Sequence, residues 1–229
     1  TLSLPDAWPI SNIQVLVSPL DWGLGHATRC IPIIKTLNSL GATVIIASGG
    51  PQLALLRAEF PGTECIEIPG YGIRYSGKRG GLVRRLIFRI PAIQLRIRRE
   101  NAWLKNFCRQ RRIDAIISDN RYGFYHKKIR SVFITHQLFI QTGMGERVNR
   151  LLLRLHYFFI ERFSECWVPD GEEPFSLARL LSHPPWAPAI PVRYTGILSR
   201  FQRSAAIISN PLLILISGPE SARTDFENT

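Results

Sequence analysis

Three side chains that could perform acid–base chemistry each follow a predicted β-strand of this 229-residue chain. His26 lies in a glycine-containing loop after the first strand, Asp119 comes directly after a strand at 115–118, and His136 directly after a strand at 132–135. Because the carboxyl ends of parallel strands meet at one edge of a sheet, we expect the three side chains to share one cleft. Any of them could act there as a general base, and the sequence does not decide which. The alternatives are a turn-capping role for Asp119 and a buried, hydrogen-bonded imidazole for His136.

The loop that holds His26 is also suited to binding a substrate. Its glycines would let backbone N–H groups approach an anion or a sugar at the start of a helix, although a tight turn without a ligand is the alternative. The dinucleotide fingerprint G-x-G-x-x-G is broken at its third glycine, which disfavours an NAD-dependent enzyme, and neither a P-loop nor a G-x-S-x-G elbow occurs. We predict substrate-binding roles for Gly23, Gly25, Thr28, Arg121 and Gln137.

The segments around these residues predict a parallel sheet with helices on both faces. Short, nearly continuous apolar runs alternate with segments whose apolar residues recur at helical spacing. This alternation is typical of an α/β doubly wound, Rossmann-like domain. The predicted strands are Ile13–Ser18, Thr43–Ala47, Cys65–Ile68, Ala115–Ser118, Val132–Thr135 and Cys166–Val168, and the predicted helices include one ending at Gly41, Gln52–Glu59 and Val148–Phe163.

A change in composition after Asp170 predicts the end of this domain. The prolines of His183–Pro188 cannot continue a helix. Farther along, the apolar run Leu212–Ile216 has the character of a fresh strand. We therefore predict a Rossmann-like domain over residues 1–195, a linker over 196–210, and the truncated start of a second α/β domain over 211–229.

Composition restricts the class of protein further. With 45% apolar residues the chain can bury a sizeable core. No run approaches the roughly 18 apolar residues of a membrane span, and the N-terminus lacks the order of a signal peptide, so we expect a soluble, cytoplasmic protein. The four cysteines lie far apart without a C-x-x-C pair, and the histidines lack ligand spacing. We predict neither a disulfide framework nor a metal site.

Nearly all of the net charge of +12 lies in one segment. Lys78–Arg112 contains 12 basic residues and one acid, Glu100, which gives it a charge of +11 and implies a polyanionic partner. We expect Pro91 to divide the segment into two amphipathic helices that lie on an anionic membrane surface. The alternative is that their apolar faces pack on the domain's own sheet, and the scarcity of base-stacking aromatic residues argues against nucleic acid. The residues assigned to the membrane surface are Arg84, Arg85, Arg89, Arg96, Arg98 and Arg99.

Several loop segments, taken in order, resemble the N-terminal half of GT-B glycosyltransferases of the MurG-like, family 28 type. Pro19–Arg29 is similar to their glycine-rich opening loop, which ends in Gly-His. Ile68–Ile73, Ser118–Gly123, Ile134–Gln137 and Cys166–Asp170 are similar to later segments, so the resemblance covers most of the chain. It places the donor side at Ser217, Gly218, Glu220 and Arg223.

The resemblance implies transfer of a hexosyl or N-acetylhexosaminyl group from a nucleotide sugar, a UDP-linked one, to a lipid-linked or envelope glycan. No cofactor is implied. This chain would be the acceptor-binding part, peripheral to the inner face of the membrane, and inactive alone because a GT-B site forms between two domains. Two alternatives stay open, a nucleotide-sugar epimerase of the same fold and a non-catalytic module that binds a polyanion or a membrane.

Overall fold

The computed structural model describes residues 12–70, 82–143 and 145–201, with the backbone alone for 82–91. Seven parallel strands form one sheet within these residues. The strands are β1 Gln14–Pro19, β2 Thr43–Ser48, β3 Glu64–Glu67, β4 Ala115–Asp119, β5 Arg130–Ile134, β6 Glu165–Val168 and β7 Val192–Tyr194. The helices are α1 Leu24–Ser39, α2 Gly50–Glu59, α3 Leu82–Gln110 and α4 Glu146–Ile160, and a short 3-10 turn spans Arg179–Leu181.

The strand order is β3-β2-β1-β4-β5-β6-β7. The chain moves outward from β1 to β3, returns through α3 to place β4 beside β1, and then moves outward in the other direction. The reversal makes the crevice above the carboxyl ends of β1 and β4 the switch point, where doubly wound folds bind their ligands. The predicted α/β doubly wound fold is confirmed.

Alternate residues of the central strands pack against helices on opposite faces of the sheet. Val15 and Val17 of β1 face a core with Ile34 of α1, whereas Leu16 lies in a core with Leu104 of α3. All of these side chains are buried. Burial of both faces explains why the strands are nearly continuous apolar runs, and it leaves only the strand ends for polar chemistry.

The basic segment differs from the prediction in one respect. Instead of two helices divided at Pro91, the backbone forms one helix of 29 residues that passes through the proline. A proline inside a helix costs about 3 kcal/mol through a lost hydrogen bond and a clash. Ile97 and Leu104, both buried against the sheet, each contribute roughly 1.5–3 kcal/mol, which offsets that cost.

The strand β7 was not predicted from the sequence. It extends the sheet beyond β6, pairing Cys166 with Val192 and Val168 with Tyr194, so the chain after the proline-rich connector returns to the sheet. Most of the predicted linker and the whole of the predicted second domain, residues 202–229, lie outside the described residues. Along the described part of the chain, no helix is long and apolar enough to cross a membrane.

Candidate functional site

A buried carboxylate and a histidine meet at the switch point between β1 and β4. Asp119 is the last residue of β4 and is fully buried, while His26 lies in the first turn of α1. The Nδ1 atom of His26 is 3.0 Å from Oδ1 of Asp119. A buried carboxylate is stable only with charged or hydrogen-bonding partners. The short loop from β1 to α1 therefore places His26 where it can stabilise the buried carboxylate of Asp119.

Arg29 is the second partner of Asp119, and the sequence analysis did not find it. Its Nε donates to Oδ2 of Asp119 at 3.1 Å and its Nη2 to Oδ1 at 2.8 Å, a two-point ion pair. Its Nη1 is 2.7 Å from Nδ1 of His136, and its Nη2 is also 2.8 Å from Nδ1 of His26. The three predicted residues are thus gathered around one guanidinium. Arg29 follows His26 by three positions on α1, and that spacing, which puts two side chains on one helix face, was the available signal.

The contact with Arg29 assigns the proton of neutral His136. A guanidinium can only donate, so Nδ1 of His136 accepts and the ring proton lies on Nε2. Burial and the neighbouring Arg29 cation lower the pKa of His136 below its ordinary value, against the weaker opposing effect of Asp119. At neutral pH His136 is therefore a neutral donor through Nε2.

His26 has a different proton arrangement. Two groups approach its Nδ1, the carboxylate of Asp119 and Nη2 of Arg29. Both contacts are charge-assisted, since the carboxylate is an ionised acceptor and the guanidinium an ionised donor, but only the carboxylate can accept a proton that lies on Nδ1. Arg29 loses little by this arrangement because its Nη2 already donates to Asp119. In the tautomer with the proton on Nδ1, His26 donates to Asp119 and has a lone pair on Nε2.

The two imidazoles line a cavity of about 240 Å³, here called the histidine cavity. Its other walls are mostly apolar or aromatic, with a few amide and hydroxyl groups, a composition typical of small-molecule sites. Gln137, predicted to bind substrate, is among the lining residues. The full lining is Leu20, Trp22, His26, Ile93, Asn120, Tyr122, Thr135, His136, Gln137, Ile140 and His156.

One wall of the histidine cavity is a buried pair that sequence analysis did not single out. Nε2 of His156 donates to the carbonyl oxygen of Gln137 at 3.0 Å, so its Nδ1 accepts from the hydroxyl of Tyr122 at 2.7 Å. Burial lowers the pKa of His156 to about 4 and raises that of Tyr122 above its ordinary value. Both groups are therefore neutral near pH 7 and give the cavity a rigid, uncharged wall.

The glycine loop is placed as expected, but its residues do different things. Gly23 precedes α1 with φ 79°, a conformation that favours glycine, and a Cβ on either Gly23 or Gly25 would meet open space. The hydroxyl of Thr28 donates to the carbonyl oxygen of Gly25 at 3.0 Å, within α1 itself. None of the three lines the histidine cavity. Their predicted roles in substrate binding stay predictions.

Arg121 does not lie where the sequence analysis expected. Its guanidinium is fully buried and paired with Glu100 of α3, and it also donates to the carbonyl oxygen of Pro69 at 3.0 Å. It follows β4 by two residues, but the turn directs it toward α3, away from the histidine cavity. Arg121 therefore does not line the histidine cavity, and Glu100 neutralises its charge inside the fold; its predicted role in substrate binding stays a prediction.

The remaining predicted residues are only partly within the described structure. Arg96, Arg98 and Arg99 are exposed on α3. At about 100° per residue, Arg98 projects from a different side of the helix than the other two. The side chains of Arg84, Arg85 and Arg89 and the donor-side residues Ser217, Gly218, Glu220 and Arg223 lie outside the described residues.

Neither a protein family model nor a curated protein matches the sequence. Among solved structures, the glycosyltransferase of kitacinnamycin has a TM-score of 0.53 and 14% identity over 85% of this chain and 53% of that one. A UDP-glucosyltransferase from Polygonum tinctorium, capable of glucosylating indoxyl, has a TM-score of 0.52 and 14% identity over 82% of this chain and 53% of that one. MurG of Acinetobacter baumannii has a TM-score of 0.44 and 8% identity over 84% and 47%.

The first two structures carry the fold assignment. This chain spans about half the length of each, and at 14% identity the likeness concerns the fold. Both match more than four fifths of this chain, in agreement with the GT-B resemblance inferred from the sequence. The chain has the Rossmann-like fold of one half of a GT-B glycosyltransferase.

Proposed function

We propose that this chain is the acceptor-binding half of a glycosyltransferase, with His26 as the general base. The observation that carries the proposal is the His26–Asp119 contact of 3.0 Å at the switch point, beside a cavity that both histidines line. Glycosyl transfer to a hydroxyl needs a base within hydrogen-bond reach of that hydroxyl. The unprotonated Nε2 of His26 is such a group.

The surrounding residues have distinct parts in this reaction. As Nε2 of His26 takes the acceptor proton, the buried carboxylate of Asp119 stabilises the imidazolium that forms and holds the ring in its orientation. Arg29 holds Asp119 in place through two hydrogen bonds. His136, as a neutral Nε2–H donor, orients an acceptor oxygen. The acceptor oxygen then attacks the anomeric carbon directly, with inversion and without a covalent intermediate, while the bond from that carbon to the diphosphate oxygen breaks and the nucleoside diphosphate leaves.

The donor is proposed to be a nucleotide sugar, UDP-linked, that carries a hexosyl or N-acetylhexosaminyl group. It would bind mainly to the second half of the architecture, so the described residues alone are not expected to turn it over. The similarity to a UDP-glucosyltransferase supports this donor class. The proposal requires no metal or cofactor.

The acceptor is proposed to be a lipid-linked or envelope glycan, reached from the cytoplasmic face of the membrane. The apolar walls of the histidine cavity and the charge of +11 over Lys78–Arg112 support this choice. Anionic vesicles should bind the protein more tightly than neutral ones, and added salt should weaken the binding by screening. Equal binding to neutral vesicles would contradict the membrane part of the proposal.

The test of the catalytic proposal uses a chain that contains both halves of the architecture. His26→Ala and Asp119→Asn should each lower turnover by about 10²-fold or more, measured as nucleotide release in the presence of acceptor. His126→Ala is the matched control, because His126 lies before β5 at the opposite, amino edge of the sheet. Turnover within a few-fold of the parent in both active-site variants would refute the assignment of the base.

A further inference from the structure

A second cavity is lined partly by α3, and none of the residues given a part in the proposed reaction lines it. It has a volume of about 360 Å³ and is here called the arginine cavity. This volume falls within the range of roughly 300–1,000 Å³ that small-molecule sites occupy. Its lining is Ile68, Pro69, Gly70, Arg96, Arg99, Glu100, Trp103, Arg121 and Phe124.

The charges of the arginine cavity do not cancel. It is lined by three arginines and one glutamate, which leaves a charge of +2. Glu100 is committed to the buried guanidinium of Arg121, so that pair is neutral. Within residues 12–70, 82–143 and 145–201, neither Arg96 nor Arg99 forms an ion pair. The excess charge therefore belongs to these two exposed side chains.

Helix geometry places the side chains of Arg96 and Arg99 close together. Arg96 and Arg99 are three residues apart on α3, a spacing that puts two Cβ atoms about 5–6 Å from one another on one face. Trp103 continues the same stripe one turn farther along the helix. Two guanidinium groups at this separation can donate to the several oxygens of one anion, the arrangement that suits a phosphate.

The rest of the arginine cavity is apolar. Trp103 stacks on Phe107 with ring centroids 5.1 Å apart and lies 5.9 Å from the ring of Phe124, so its position is held from two sides. Ile68 and Pro69 complete the apolar wall. A ligand that fits must therefore combine an anionic group with an apolar portion.

We propose that the arginine cavity binds a phosphate monoester that bears an apolar substituent. A phosphomonoester carries about −1.5 to −2 charges at pH 7, which matches the excess of +2. Arg96 and Arg99 bind the phosphate oxygens, and Trp103 with Phe124 packs against the substituent. The site does not require glycosyl transfer, so it can exist whether or not the proposed function is correct.

The probe for this site is phenyl phosphate, added to the purified chain and measured by isothermal titration calorimetry at low salt. We expect binding with a Kd at or below about 1 mM, and tighter binding than that of inorganic phosphate or phenol, each of which satisfies only one part of the cavity. Absence of binding by phenyl phosphate at about ten times that concentration would overturn the proposal.

A pair of double variants separates a site from a general attraction of anions to a basic helix. Arg96→Gln with Arg99→Gln should weaken phenyl phosphate binding by about tenfold or more, since it removes both charge-assisted contacts. The control, Arg98→Gln with Arg109→Gln, removes the same charge from exposed positions on the other side of α3 and should change binding by less than about twofold. Equal weakening by the two double variants would refute the site.

The same measurement distinguishes two sources of the ligand. Displacement of phenyl phosphate by phosphatidylcholine vesicles that contain phosphatidic acid assigns the site to a lipid headgroup. Displacement by soluble alkyl phosphates with no effect of those vesicles assigns it to a soluble ester. Both results require Arg96 and Arg99. If neither the vesicles nor the soluble alkyl phosphates displace phenyl phosphate, the proposed chemistry is contradicted.

Discussion

Replacement of His156 by glutamine should make the protein less sensitive to acid. In the folded chain this imidazole is buried and neutral, and burial lowers its pKa from 6.5 to about 4. Its Nε2 donates to the carbonyl oxygen of Gln137 and its Nδ1 accepts from the hydroxyl of Tyr122. A glutamine amide can both donate and accept, so His156→Gln can keep both hydrogen bonds while it removes the titration.

The sign and the size of the effect follow from the two pKa values. Between pH 6.5 and pH 4 the unfolded chain binds a proton at His156 that the folded chain does not, so the free energy of unfolding falls as the pH falls. With one pKa unit worth about 1.4 kcal/mol, the loss from this one group is about 2 kcal/mol at pH 5 and about 3 kcal/mol at pH 4. Above pH 7 the imidazole contributes no pH dependence.

Urea denaturation of the parent and of His156→Gln at a series of pH values from 7.5 to about 4 measures this difference. The parent should lose about 3 kcal/mol more than the variant over that interval, with the divergence beginning near pH 6.5. His126 and His136, whose pKa values are also lowered, titrate in both proteins and cancel in the comparison. Parallel stability profiles for the two proteins would refute the assignment of a buried neutral His156.

Three further predictions concern charged and titratable side chains of the site and the core. Arg29→Gln should raise the pKa of His136, because it removes a neighbouring cation, and an NMR titration that shows no rise would contradict the geometry. Asp170→Ala should lower the free energy of unfolding by at least about 2 kcal/mol, measured by urea denaturation. Hydrogen bonds from serine hydroxyls and backbone N–H groups hold the pKa of this carboxyl well below its usual range, against the opposing effect of burial. Glu100→Gln should lower the free energy of unfolding by about 3–5 kcal/mol, because it leaves the Arg121 cation buried without its carboxylate. Adding Arg121→Met should recover part of that loss. A double variant no more stable than the single one would argue against the pair.

The parts of the site that were predictable from the sequence are those that follow strand ends. An apolar run that ends in a polar residue marks where a parallel strand leaves the sheet, and this placed His26, Asp119 and His136 on one rim without knowledge of the helices. The same signal failed for β7. The three residues Val192–Tyr194 are too few to show an alternation of apolar and polar side chains, so the sequence does not distinguish them from a connector. They form a strand because they pair with the edge of β6.

The surroundings of Arg29 and Arg121 were not evident from the sequence, because they depend on partners that are distant along the chain. Arg29 shares a helix face with His26 in the sequence, but nothing local marks it as the residue that joins Asp119, His26 and His136, which come from β4, α1 and the loop after β5. Arg121 follows a strand end, as a ligand-binding residue would, yet it forms an ion pair with Glu100 that neutralises its charge. In both cases the deciding partner is more than 20 positions away, beyond the reach of local periodicity.

The charge arrangement around Arg29 also distinguishes the two histidines. With both imidazoles neutral, the cluster is neutral overall, because the Arg29 cation balances the Asp119 anion. Nδ1 of His26 lies 3.0 Å from the carboxylate and 2.8 Å from Nη2 of Arg29, whereas a proton added to His136 at Nδ1 meets the guanidinium at 2.7 Å. Opposite charges within about 4–6 Å favour the protonated form and like charges oppose it. Arg29 therefore keeps His136 a neutral donor, whereas His26 is paired with the carboxylate of Asp119, so the two histidines, equivalent in the sequence, have different surroundings at the site.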